Sequence, residues 1–323
     1  MPSIGRSCGQ SHSRGGRIYI TFIWGFRVWN AVGETPAARR MSGHRTAAVD
    51  TAVTWRPQTF NAMNSTDLAD AAFGPYPGRW PLPDARTTGD LLLRAVAAGG
   101  QGRYGAARAD LDELLRREPA GRLASLASST HASFLRQTGW HERARGWDGR
   151  AWALAAGHPE CAADALVGLA ADALGVGRFA ASAALLGRAR TIRAEEPRQA
   201  IRLEWVSAEL AMVTGDGPTA VAHARRGVEL AEAALPRLRR HRVKSEVVLA
   251  AALCSAGDLD GARRTAAAAA ESTAEYGLVP LHWAATCLLA EIGSPGRTSE
   301  QTATARDRSA AFVTRHGGRW KPR

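Results

Sequence analysis

Lysine is almost missing from this chain: Lys244 and Lys321 stand against 40 arginines in 323 residues. A skew of that size reflects genome composition more than a need for guanidinium chemistry, so no arginine carries weight by its type alone. Cysteine is nearly as sparse. Cys8, Cys161, Cys254 and Cys287 never form a CxxC pair, which removes the usual redox and zinc-ribbon signatures. The last three sit in apolar helical patterns, where a free thiol behaves as a small hydrophobe, and the set suits a reduced, cytoplasmic protein. No apolar run is long enough to span a bilayer. The nearest, residues 18–29 behind Arg14 and Arg17, is broken by Gly25 and Arg27 and lacks a small-residue cleavage site. Neither a GxxxxGK[ST] phosphate loop nor an HExxH metal motif occurs. The chain also reads as free of a dinucleotide fingerprint and of a nucleophile elbow. β-branched and aromatic residues are scarce, the latter 7% of the chain.

Alanine fills the space they leave, at 65 residues. It is the best helix former and the smallest side chain that packs, so this is a composition for closely spaced helices. The alanines recur. Gly102, Gly139, Gly177, Gly215 and Gly257 follow one another at 37, 38, 38 and 42 residues. Seven residues before each stand Ala95, Ala132, Ala170, Ala208 and Ala250. Five residues after each stand Ala107, Ala144, Ser182, Ala220 and Ala262. A period of this length marks a helical repeat array. Each unit reads as helix, tight turn, helix. The glycine stops the first helix, and the small residues lie where the two helices cross closely.

First helices are expected at 89–100, 121–137, 159–175, 197–213, 237–255 and 279–292. Second helices are expected at 104–117, 141–156, 179–194, 218–234, 259–275 and 299–315. Pro159, Pro197, Pro218, Pro236 and Pro280 fall at helix starts, where proline is tolerated. Thr87 with Asp90 makes a capping-box-like start to the first helix. Ahead of it, residues 63–88 form a proline-rich approach segment containing Pro75, Pro77, Pro81 and Pro83. Residues 1–62 lack the repeat and read as a disordered leader or a start assigned too early, with Met63 preferred over Met1 and Met41. The array occupies 89–316, its last helix a polar, solvent-facing cap, and 317–323 is a basic tail.

The stretch GRYGAARADLDELLRREP, residues 102–119, resembles the second half of a tetratricopeptide repeat through Tyr104, Ala107, Leu111 and Pro119. AGDLDGARRTAAAAA, residues 256–270, is similar through Leu259, Ala262 and Ala269. The resemblance covers roughly residues 89–293. In the first helices the family's aromatic column is held instead by Leu91, Ser128, Leu166, Glu204 and Glu246, and the periods exceed the family's usual length of about 34. The resemblance implies an all-α, right-handed α-solenoid of about six hairpins with a concave groove lined by first helices.

The net charge of +12 sits at the ends: residues 1–62 carry +6, 306–323 carry +5, and 63–305 carry +1. A phosphate-binding footprint belongs on the folded domain, so nucleic acid is not the expected partner. His158, Glu160 and Cys161 are the nearest approach to a catalytic or metal constellation, and read as an ordinary helix start. His131 has no identifiable carboxylate partner. Trp140, Trp147 and Trp152 are expected to fill gaps between alanine-rich helices. The basic run 236–244 is the exception. Arg237, Arg240 and Lys244 share a face at helical spacing, and Arg202 holds Lys244's column one repeat earlier. Trp205 and Trp283 share the column three residues on, and Glu209 lies one turn beyond Trp205. The resemblance implies that these seven line the groove, without matching the lysine/asparagine clamp by which some family members hold C-terminal carboxylates. The expectation is a non-enzymatic adaptor or scaffold, with no cofactor and no metal, binding another protein or an acidic peptide. The alternative is a sensor domain that binds a peptide or small anionic ligand and controls a transcription or signalling partner.

Overall fold

The computed structural model describes residues 18–21, 27–30, 64–192, 196–235 and 237–322. Ile18–Thr21 (β1) and Arg27–Asn30 (β2) pair antiparallel; the rest of the expected leader lies outside the described residues. From residue 64 every regular element is a helix, and thirteen are described. They are α1 (Asn64–Ala72), α2 (Thr88–Gly100), α3 (Tyr104–Arg117), α4 (Gly121–Gln137), α5 (His141–Leu154), α6 (Pro159–Gly175) and α7 (Phe179–Thr191). There follow α8 (Pro197–Val213), α9 (Gly217–Ala233), α10 (Arg239–Ser255), α11 (Leu259–Glu275), α12 (Val279–Ile292) and α13 (Ser299–Arg315). Each packs on its sequence neighbours, and α2, α4, α6, α8, α10 and α12 also touch in succession. From residue 64 onward the fold is all-helical and repeat-like.

The helix bounds expected from the sequence hold within three residues from α2 onward. The five turn glycines have φ between 76° and 90°, a region that costs other residues strain. The same bond closes each of these five turns. The amides of Arg103, Trp140, Arg178, Asp216 and Asp258, each just past a glycine, donate to carbonyls five residues back. That is the closing bond of a Schellman cap. All ten small residues of the two recurrent columns are 0% exposed. The Thr87–Asp90 capping box forms as expected.

Two features go beyond that expectation. Helix α1 lies inside the approach segment 63–88, where no helix was expected, ahead of its prolines, and buries Leu68, Ala71 and Ala72. Phe73, just after it, packs on both larger clusters of core side chains. Gln101, itself buried, donates to the carbonyls of Pro77 and Arg79, both at 2.9 Å, and pins the segment that follows. The second feature is the C-terminal strip, which returns to the first helices. Gly105 donates to His316 O at 2.7 Å and Arg108 to Gly317 O at 2.5 Å. Trp140 Nε1 donates to Arg319 O at 2.7 Å, and the Lys321 amide to Thr138 O at 2.8 Å. The two ends of the helical array are in contact.

Candidate functional site

Five of the seven expected groove residues come together on α8 and α10. Arg202, Trp205 and Glu209 fall on one stripe of α8, and Arg240 and Lys244 on α10. Trp205 is only 5% exposed. Its Nε1 donates to Ser245 Oγ at 2.8 Å, and Ser245 donates onward to Gly227 O at 3.0 Å, tying α8, α10 and α9. His241 stacks on the indole at 5.5 Å, and Lys244 Nζ lies 4.2 Å from its ring centre. Burial drives the Lys244 ammonium down to about 7; Glu209 opposes that shift, while Arg202, Arg136 and Arg240 add to it. Glu209 is buried as well.

Arg202 pairs with Asp164 of α6, which also holds Arg198 at 2.6 Å. Burial would raise the Asp164 carboxyl, but the two guanidiniums overcome it and the net shift is downward. Arg240 reaches across the molecule and donates to Val96 O, 3.0 Å away in the last turn of α2. A cation there meets the negative end of a helix dipole. Burial first, then Arg198 and Arg202, push Arg240 down to about 10. Phe73 lies among these groups: Arg198 is 5.5 Å and Arg240 5.9 Å from its ring centre, and His241 6.2 Å. The other two residues do not join them. Arg237 is exposed ahead of α10, and Trp283 on α12 packs at 4.3 Å against Trp320.

A second buried ionic group escaped the sequence reading. Arg136 Nη1 of α4 donates to Asp148 of α5 and, at 2.9 Å, to Asp172 Oδ1 of α6. Both carboxylates are 0% exposed. Burial raises both, and Asp172, beside the charge of Asp148, reaches about 7. A signal was present: Asp148 falls in register with Ala144, Ala151 and Ala155 on the buried side of α5. Gly168 makes the room, since a Cβ there would meet Asp148 Oδ2 at 2.4 Å.

The remaining chemical candidates find mundane settings. Cys161 is 0% exposed, and burial together with Glu160 pushes its thiol up to about 12, which disfavours the nucleophilic thiolate. Glu160 is engaged by Arg122 at 2.7 Å. His131, for which the sequence identifies no carboxylate partner, has one: its Nε2 lies 3.1 Å from Asp112 Oδ1, and its ring stacks on Trp147 at 4.3 Å. Nineteen residues separate the pair, too far for local spacing to reveal it. Trp152 departs from the gap-filling expectation and is 38% exposed. Two glycine strings passed over in the sequence need correction. Gly100, Gly102 and Gly105 have GxGxxG spacing, but they join helix to helix rather than strand to helix. The Gly105 amide there is already taken by His316 O. Gly5, Ser7 and Gly9 have GxSxG spacing and lie outside the described residues.

Among the described residues no three His, Cys, Asp or Glu side chains gather closely enough to hold a metal. Among them, too, no helix is long and apolar enough to cross a membrane. No protein-family model and no curated protein sequence matches the chain.

Proposed function

We propose that the chain is a tetratricopeptide-like, right-handed α-solenoid of six hairpins, acting in the cytoplasm as a non-enzymatic adaptor that holds a helical segment of another protein against its inner face. One observation supports this reading: a helical segment of the chain itself packs on α2 and reaches α8 and α10 through Phe73. Helix α1 buries one apolar side, and Phe73 anchors it between Arg198 and Arg240. Phe73 packs on the core cluster that contains Trp205, whose ring carries Lys244, and Arg240 flanks the phenyl ring. A partner would take the place of α1 and Phe73 rather than add to them. The test uses a labelled peptide copying residues 64–80, added to the full chain carrying Phe73→Ala and Leu68→Ala. Anisotropy is expected to rise with the double variant and to stay flat with the wild type, whose own segment competes. No binding to a variant that remains folded would remove the support.

The sensor reading keeps one observation in its favour. Among the described residues Arg240 contacts a carbonyl and an aromatic face but no carboxylate, and Arg198 and Arg202 crowd it. A small anion stabilising the wild type in thermal melts, but not Arg240→Gln, would favour that alternative.

A further inference from the structure

The outer surface of α5 and α7 carries charge of one sign. Arg143, Arg145 and Arg150 on α5, Arg178 just before α7, and Arg188 and Arg190 on α7 are all exposed. Against these six stands one exposed carboxylate on the two helices, Glu142; Asp148 faces inward. On α3, α9 and α11 some arginines are answered by a carboxylate of the same helix, although Arg225 and Arg264 there are exposed without one among the described residues. Glu113 holds Arg116 and Arg117 on α3, Glu229 holds Arg226 on α9, and Asp260 holds Arg263 on α11. Among the described residues none of the six has an ion pair, although Arg190 donates to Ser207 Oγ at 2.8 Å. The near-neutral total for residues 63–305 conceals this segregation.

Aromatic side chains share the surface. Trp152 and Phe179 are each 38% exposed. Arg188 of α7 lies 5.0 Å from the ring centre of Trp152 on α5, which joins the helices into one face. Arg143 lies 4.4 Å from Trp140, and Arg150 5.7 Å from Trp147. A guanidinium held against an indole leaves N–H groups free for a carboxylate. The floor between them is low and apolar, with exposed Ala180, Ala183, Ala184 and Gly187 on α7 and Gly146 and Ala153 on α5. Glycine destabilises a helix interior relative to alanine. Yet a Cβ at Gly146, Gly149 or Gly187 would meet nothing within 4 Å, so packing within the chain does not require them.

We propose that the α5–α7 outer face docks an acidic amphipathic helix of another protein, separately from the inner face. Carboxylates on the helix flanks meet the arginine rim, and its apolar stripe covers Trp152, Phe179 and the small-residue floor. Tryptophan and arginine are the residue types that dominate protein interfaces. A nucleic-acid backbone would satisfy the rim but leave the apolar floor in water, which favours the protein helix.

The probe is a fluorescein-labelled synthetic helix of about three heptads, glutamates flanking a leucine stripe, titrated with the full chain by anisotropy. Arg143→Glu, Arg150→Glu and Arg188→Glu together are expected to weaken binding by about tenfold or more, and added salt to weaken it further. Trp152→Ala is expected to weaken it at any salt. Reversal of Arg225 and Arg226 on α9 should leave it unchanged. The same triple change to glutamine, followed by circular dichroism, guards against loss of fold. Phe73→Ala should leave this binding intact, so failure here and failure of the inner-face reading are told apart. The proposal is overturned if the glutamate triple variant binds within about twofold of wild type, or if the probe does not bind. It also falls if oligo-dT binds this face and the peptide does not, or if sedimentation shows the face to join two copies of the chain.

Discussion

Trp205 shows how burial changes the meaning of a residue. In the sequence it stands in a column shared with Trp283 and reads as a groove aromatic; in the fold its indole is tied to Ser245, His241 and Lys244. Trp205→Ala should therefore cost about 3–5 kcal/mol of stability, measured by urea denaturation. Arg202→Glu would set a carboxylate against Asp164 in place of their ion pair and should cost a similar amount, about 3–5 kcal/mol. Neither change is a clean probe of binding, whereas Arg237, exposed ahead of α10, should tolerate reversal. Asp172 makes a prediction about pH. Its folded value of about 7 lies above the ordinary 3.8, so between those values the native state holds the extra proton. Stability contributed at this site must then fall as pH rises from about 4 to about 7, and level off above. Asp172→Asn removes the titration, so wild-type stability should decline relative to the variant across that window. A constant difference between their urea midpoints would contradict it.

At the scale of helices, most of the fold was legible because the first five hairpin turns repeat one physical solution: a glycine at positive φ, a carbonyl capped five residues back, and two columns of small residues. Ala170 tests the column. It is 0% exposed, so Ala170→Leu should overpack the crossing by about 1–3 kcal/mol, while Ala222→Leu on the exposed side of α9 should be nearly neutral. Equal melting temperatures for the two variants would break the assignment. Helix α1 escaped the sequence because only Leu68, Ala71 and Ala72 repeat its apolar spacing, about one turn of signal. Its anchor, Phe73, lies outside the helix altogether. The candidate sites were less legible than the helices for a related reason. Periodicity tells which side of a helix is buried, but Arg136, Asp148 and Asp172 meet across three helices, and spacing along one helix cannot pair them. Charge totals hid the α5–α7 arginines in the same way, since the compensating acids lie on other faces.

For the whole molecule the decisive feature is the return of the C-terminal strip. Arg108 and Gly317, 209 residues apart, are bonded, as are Trp140 and Arg319 at a separation of 179. Removing residues 316–323 should cost about 2–4 kcal/mol, from the lost hydrogen bonds and uncovered donors, and lower Tm by roughly 5–15 °C. Calorimetry would register it, and an unchanged melt would show the strip to be passive. An open repeat array can gain or lose a unit, because each unit answers only to its neighbours. This chain has given up that freedom. Inserting one more glycine–alanine unit between α5 and α10 should carry Arg319 away from Trp140 and Arg240 away from Val96, so lengthening by duplication, the ordinary route for repeat proteins, costs this chain bonds that an open array never makes.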